Sequence, residues 1–238
     1  MERKFKFTVD EFYHGYSRGN NKSVIFLSDA DRKRFQKLLY VCNSASPVVF
    51  RDIQGMPLDK IKKGEALVDI GAYCLMPNHF HLLLRERIDG GISKFLEKLL
   101  TAYSMYFNKK YERTGKLFEG RFQATHVDTD EYLKYLFAYI HLNPVKIIDP
   151  KWKEDGIQNR MVAKEYLGKY VHSSYQDYFG SARQEGKILE KPAFPEYFAK
   201  SQDFEEFINE WIDYSTLKDS RKTNKQNPCK SECCFDDV

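Results

Sequence analysis

No apolar run in this chain approaches the roughly 20 residues that cross a bilayer, so a helical membrane protein is excluded by sequence. The opening Met1-Glu2-Arg3-Lys4-Phe5-Lys6 has no apolar signal-peptide core behind it. Cysteine is scarce, five in number and odd, and Cys229, Cys233 and Cys234 crowd the end. That is no secreted disulfide framework, and three thiols without a fourth ligand at standard spacing do not make a zinc site. A reducing cytoplasm is the expected compartment. The charge excess is also small, +4 although 30% of residues are charged, which permits a nucleic-acid partner without demanding one. There is no internal repeat and no P-loop pattern. What the chain does have is length and rings. Its 238 residues can form one domain with an extension, and 16 Tyr and 18 Phe supply core and an exposed subset suited to base stacking.

Alternation and turn residues predict a first strand from about Thr8 to Arg18 and a short one over Ser23–Phe26. Ser28 is a good N-cap for a helix carrying the stripe Phe35, Leu38, Leu39 and Cys42, with Asp29 and Asp31 in its first turn. Pro47–Phe50 is a further candidate strand, followed by a polar loop over Asp52–Gly64. Ala66–Leu75 and His79–Arg85 form an antiparallel pair turning at Met76-Pro77-Asn78. A long helix presents Ile92, Phe95, Leu96, Leu99, Tyr103, Tyr106 and Phe107. Phe122–Val127 is another strand, and Asp130–Asn143 a helix stopped by Pro144. The order strand, helix, strand, strand, helix, strand is that of a ferredoxin-like antiparallel sheet with packed helices, an α+β fold. A helical C-terminal extension follows, marked by Phe204, Phe207, Ile208, Trp211 and Ile212. The predicted division is a domain over 1–180, a helical extension over 181–219 and a disordered tail over 220–238.

The strand His79-Phe80-His81 points two imidazoles to one face, close enough to share a divalent cation while leaving positions open. On the third helix, Tyr139 and Asn143 are four apart and share a face, although Pro144 tends to push Asn143 out of helical geometry. Laid against the sheet, that face could bring a phenol and an amide oxygen to the two imidazoles. Tyrosine attacks poorly near neutrality because its pKa is about 10. A metal that neutralises charge on a phosphodiester makes the attack feasible, and a covalent phosphotyrosine keeps the bond energy for rejoining without a nucleotide cofactor.

Met76-Pro77-Asn78-His79-Phe80-His81-Leu82-Leu83, Gly120-Arg121-Phe122-Gln123 and Tyr139-Ile140-His141-Leu142-Asn143-Pro144-Val145-Lys146 closely resemble the single-tyrosine HUH transposases. The nearest branch is the REP-associated, insertion-sequence-like tyrosine transposases. Tyr13-His14-Gly15-Tyr16-Ser17-Arg18-Gly19-Asn20-Asn21 and His172-Ser173-Ser174-Tyr175 add to the likeness, which runs in order from about Phe12 to Phe179. Pro47–Gly64 is longer than in compact members. The resemblance implies an HUH nuclease fold, Mg²⁺ or Mn²⁺, and cleavage of single-stranded DNA beside a hairpin. By position, His79, His81 and Asn143 would be metal ligands and Tyr139 the nucleophile, giving a 5′-phosphotyrosine. The chain would associate with the nucleoid when bound to DNA. The family includes dimers that exchange the tyrosine helix and members that act as monomers, so both stay open.

The blander readings are concrete. Histidines on a half-buried strand are usually structural, and tyrosines at helical spacing, as with Tyr132 and Tyr135, are core by default. His14, His126, His141 and His172 have no distinct assigned role; for His14 packing or hydrogen bonding is favoured over an approach to the site. Arg18, Lys22, Arg121 and Lys146 are candidate phosphate contacts, weighed evenly against ordinary solvated charge. The rival function is a non-catalytic, domesticated hairpin-binding protein, which would need neither the imidazoles nor Tyr139. An RNA-processing enzyme using a 2′-hydroxyl would also make Tyr139 unnecessary.

Overall fold

Four strands and seven helices follow from these patterns in a computed structural model that describes residues 6–198 and 200–217, the last four by backbone alone. In chain order they are β1 (Phe12–Arg18), α1 (Asp29–Cys42), β2 (Val68–Met76), β3 (His79–Glu86), α2 (Gly91–Lys110), β4 (Gln123–Val127) and α3 (Asp130–Leu142). Shorter α4 (Trp152–Asp155), α5 (Arg160–Lys169) and α6 (Tyr175–Tyr178) precede α7 (Ser201–Leu217). The sheet order is β2-β3-β1-β4 with every neighbouring pair antiparallel. That is the ferredoxin-like arrangement expected from the element order.

Local chemistry explains the boundaries. Ser28 Oγ accepts from the Asp31 amide while the Asp31 carboxylate accepts from the Ser28 amide, a reciprocal cap that starts α1. Thr129 caps α3 through the Tyr132 amide at 3.1 Å. β1 starts at Phe12 rather than Thr8 because Asp10 has φ 71°, which turns the chain before the ladder begins. Ser23–Phe26 is not a strand: the Ile25 and Phe26 amides both bond to the single carbonyl of Pro77, and no ladder forms. Pro47–Phe50 is not one either, and the chain instead enters a 3₁₀ turn at Phe50–Ile53. Arg34 lies 3.1 Å from the Phe50 ring centroid and holds that loop against α1.

Pro144 does not push Asn143 out of the helix. Asn143 keeps φ −53° and ψ −38°, its amide bonds to the Tyr139 carbonyl, and the chain continues as a 3₁₀ turn through Ile147. Pro144 sits near the start of that turn, where a missing N–H costs least.

Each face of the sheet has its own core. Tyr13, Phe80, Leu82 and Leu84 pack with Phe35 of α1 and Phe95, Leu99 and Tyr103 of α2. On the other face Ala72, Cys74 and Leu83 pack with Leu136, Phe137 and Ile140 of α3 and with Phe204, Ile208 and Ile212 of α7. Phe194 joins this second core and touches β2 where Gly71 has no side chain; a Cβ there would come within 2.7 Å of its ring. Phe194, Phe204, Ile208 and Ile212 thus pack into the core beside α3, while Ile188 joins the core on the opposite face. The expected tail, with Cys229, Cys233 and Cys234, lies outside the described residues.

Candidate active site

Strand alternation puts His14 and Tyr16 of β1 and His79 and His81 of β3 on the face covered by α3. In the β1–β3 register Tyr16 pairs with His81 and Arg18 with His79. One step diagonal, His14 Nε2 meets His81 Nδ1 at 2.9 Å. The two rings of the predicted pair, His79 and His81, have centroids 4.9 Å apart. Tyr139 comes down from α3 with its ring 5.2 Å from that of His81. Asn143 follows one turn later on the same side. A cleft enclosing about 420 Å³, open to solvent, is lined by His79, His81, Tyr139 and Asn143 together with Tyr16, Arg18, Lys146 and Lys153.

Hydrogen bonds orient the imidazoles. His79 Nδ1 lies 2.6 Å from Asn78 Oδ1, so that nitrogen carries the proton and Nε2 keeps a lone pair. His81 Nδ1 is taken by His14, while His81 Nε2 is buried with no hydrogen-bond partner. Asn143 Oδ1 is likewise buried and makes no hydrogen bond. Two unpartnered polar atoms in one cleft are costly unless something fills the space between them, and His81 Nε2 offers a lone pair when Nδ1 donates to His14. An N, N, O set of two imidazoles and an amide oxygen suits a divalent cation with positions left for phosphate oxygens. Among the described residues no group of three His, Cys, Asp or Glu side chains forms a self-sufficient metal cage.

Electrostatics keep the rings neutral. Burial lowers His79 to about 3, helped by the charges of Lys146, Lys153 and Arg18, with Asn143 acting weakly in the other direction. Burial, then Lys153 and His79, lowers His14 to about 3. His81 is pushed well below its ordinary value, first by burial and then by His79 and His14. Neutral imidazole is the ligating form. A cleft carrying Arg18, Lys146 and Lys153 besides would hold a large positive charge once a cation entered, which selects a polyanionic substrate.

The predicted residues divide clearly. His79, His81, Tyr139, Asn143, Arg18 and Lys146 meet at the cleft; Lys22 and Arg121 do not line it and are exposed. Arg18 also pairs with Glu119 at 3.3 Å. Sequence reasoning did not find Lys153, whose Nζ donates to the Tyr139 hydroxyl at 3.2 Å and sits 4.4 Å over its ring. No motif signals it, because α4 is a single turn placed by packing on α7. His14 was favoured for a hydrogen-bonding role, and it makes that bond to His81. Tyr132, Tyr135 and Tyr139 stack in a column with centroids 6.2 and 6.1 Å apart, and Trp211 of α7 closes on Tyr135 at 5.6 Å. Away from the cleft, His141 bonds to the Phe137 carbonyl and Ser174 Oγ, both at 2.8 Å. His172 pairs with Asp29 at 2.9 Å and His126 with Glu11 at 3.0 Å.

No curated protein matches the chain. Among solved structures, a REP-associated tyrosine transposase bound to a REP hairpin aligns over 78% of this chain and 90% of its own. The sequence identity is 14% and the TM-score 0.45. Residues 58–143 match the family model described as "Transposase IS200 like". That segment contains β2, β3, α2, β4 and α3, and with them His79, His81, Tyr139 and Asn143. Over that segment the chain is similar to the IS200-like transposases.

Proposed function

We propose that this chain is a transposase that cleaves and rejoins single-stranded DNA beside hairpins through a 5′-phosphotyrosine on Tyr139. The carrying observation is the convergence in one cleft of the Tyr139 phenol with two orphaned acceptors, His81 Nε2 and Asn143 Oδ1. His79, His81 and Asn143 would hold Mg²⁺ or Mn²⁺, which when bound supplies charge neutralisation at the scissile phosphate. Asn78 and His14 hold the two rings in the tautomers that leave Nε2 available. Tyr139 Oη then forms a bond to phosphorus as the bond to the 3′ oxygen breaks, leaving a free 3′-hydroxyl. Arg18 and Lys146 bind flanking non-bridging oxygens. Reversal with another 3′-hydroxyl rejoins strands. The hairpin preference rests on the resemblance of the sequence motifs.

All these groups line one cleft of a single chain, which supports a reading in which Tyr139 serves its own metal site. In this reading the domain over 1–180 carries the chemistry, and Phe204, Ile208 and Ile212 of α7 brace α3, which holds the nucleophile.

The test is a covalent-adduct assay. Wild type and Tyr139→Phe are incubated with single-stranded hairpin DNA and Mg²⁺ or Mn²⁺, then denatured. Wild type forms an adduct and the variant none. Hairpin binding with no adduct on any hairpin of a library would establish instead a non-catalytic binding protein. A mixture of Tyr139→Phe and His79→Ala proteins stays inactive; restored activity would show that the tyrosine serves a second chain.

A further inference from the structure

Lys153 donates a hydrogen bond to the proposed nucleophile's oxygen, 3.2 Å from Nζ to Tyr139 Oη. The ammonium also sits 4.4 Å over the phenol ring, so it approaches the tyrosine through both its oxygen and its π face. It lines the same cleft as the imidazoles. Lys153 lies outside the 58–143 segment that matches the transposase family, so nothing in that match assigns it a role. Its placement is built. Trp152 beside it is buried, α4 packs on α7, and α7 is tied to α5 by an Arg160–Asp213 ion pair at 2.8 Å.

We infer that Lys153 is a further catalytic residue, whose ammonium binds the Tyr139 oxygen as it attacks and again as it leaves. The inference rests on the phosphotyrosine reading above. In cleavage the Oη–P bond forms and the P–O3′ bond breaks. The phenolic proton passes to water and the departing 3′ oxygen takes one up, so no net proton is consumed. Negative charge gathers on the phenol oxygen before the first bond forms and after it breaks in reverse. A donor carrying full positive charge stabilises that oxygen more than a neutral one would. Lys153 remains an ammonium throughout. Because the same charge develops in both directions, cleavage and rejoining should depend on Lys153 alike.

Wild type, Lys153→Met and Lys153→Arg are compared in single-turnover cleavage and in rejoining from the isolated adduct. Hairpin affinity is measured in a Tyr139→Phe background. Lys153→Met keeps the apolar stem and removes the donor. Cleavage and rejoining should each fall by about a hundredfold. Affinity should change by less than about threefold, since one phosphate contact at most is touched. Lys153→Arg should restore most of the loss. A polyfluorinated tyrosine at position 139, whose phenolate is intrinsically more stable, should shrink the Lys153→Met defect to about tenfold or less. Rates within twofold of wild type in Lys153→Met would overturn the inference while the phosphotyrosine reading stood. So would a defect unchanged by the fluorinated ring, because that pattern belongs to a lysine that merely packs α4. Absence of any wild-type adduct would instead remove the reading on which both depend.

Discussion

On β3, Phe80, Leu82 and Leu84 face α1 and α2, whereas His79, His81 and Leu83 face α3. The first row is fully buried in an aromatic core where Phe80 meets Phe35 at 5.0 Å and Phe118 at 6.2 Å. The second row holds imidazoles kept neutral by burial, with one ring nitrogen left unpaired. One face gains free energy by removing apolar surface from water; the other spends some to keep acceptors without partners. A single strand thus separates stability from chemistry by its two-residue period.

Three experiments press on that contrast. Replacing His79 and His81 together with Ala should lower adduct formation by at least about a thousandfold, as expected when a charge-neutralising cation loses its ligands. The melting temperature should stay within about 5 °C of wild type and hairpin affinity largely intact. A large loss of stability would mean that the two faces are not separable.

Phe80→Ala, on the neighbouring residue, should do the reverse. Urea unfolding should show about 3–5 kcal/mol of lost stability from the cavity among Phe35, Phe118 and the sheet. Adduct formation should persist at temperatures where the variant remains folded. Its disappearance in folded protein would tie the aromatic core directly to the chemistry.

The third experiment concerns acid. His141 lies on the α3 side, fully buried, and burial lowers it to about 3 despite the opposing bond to Phe137. Between about 6.5 and that value the unfolded chain binds a proton that the folded chain refuses. The stability from keeping His141 neutral is therefore present above about pH 6.5 and is lost as pH falls toward 3. Melting curves across that window should show the loss, and His141→Asn should flatten it by about 1.4 kcal/mol per pH unit. An unchanged slope would place the acid sensitivity on other groups.

Much of this was legible along the chain because it depends on neighbours in sequence. The Ser28 cap, the apolar stripe of α2 from Ile92 to Phe107, and the four-residue spacing of Tyr139 and Asn143 are all local. The failures were local readings that tertiary contacts overrode. Ser23–Phe26 is apolar enough for a strand, yet Ile25 and Phe26 found only the Pro77 carbonyl to bond with. Pro144 tends to disturb the helical geometry of Asn143, the last residue of the expected helix, yet the 3₁₀ turn accommodates both. Lys153 carried no signal because a four-residue helix has no periodicity to read.

The sequence by itself determined the order of the four sheet strands and the helices between them, the faces of β3, and which residues stand as candidates to bind a cation and attack phosphorus. Those follow from side-chain chemistry and from the repeats of strand and helix. Only the tertiary structure decided that His14 orients His81, that Asn143 Oδ1 and His81 Nε2 lie unpaired in one cleft, and that Lys153 touches the tyrosine oxygen. Those facts depend on how β1 pairs with β3, and on how α3 and α4 pack against the sheet and α7. No short stretch of chain encodes such a distance; it is set where separately formed surfaces close on one another.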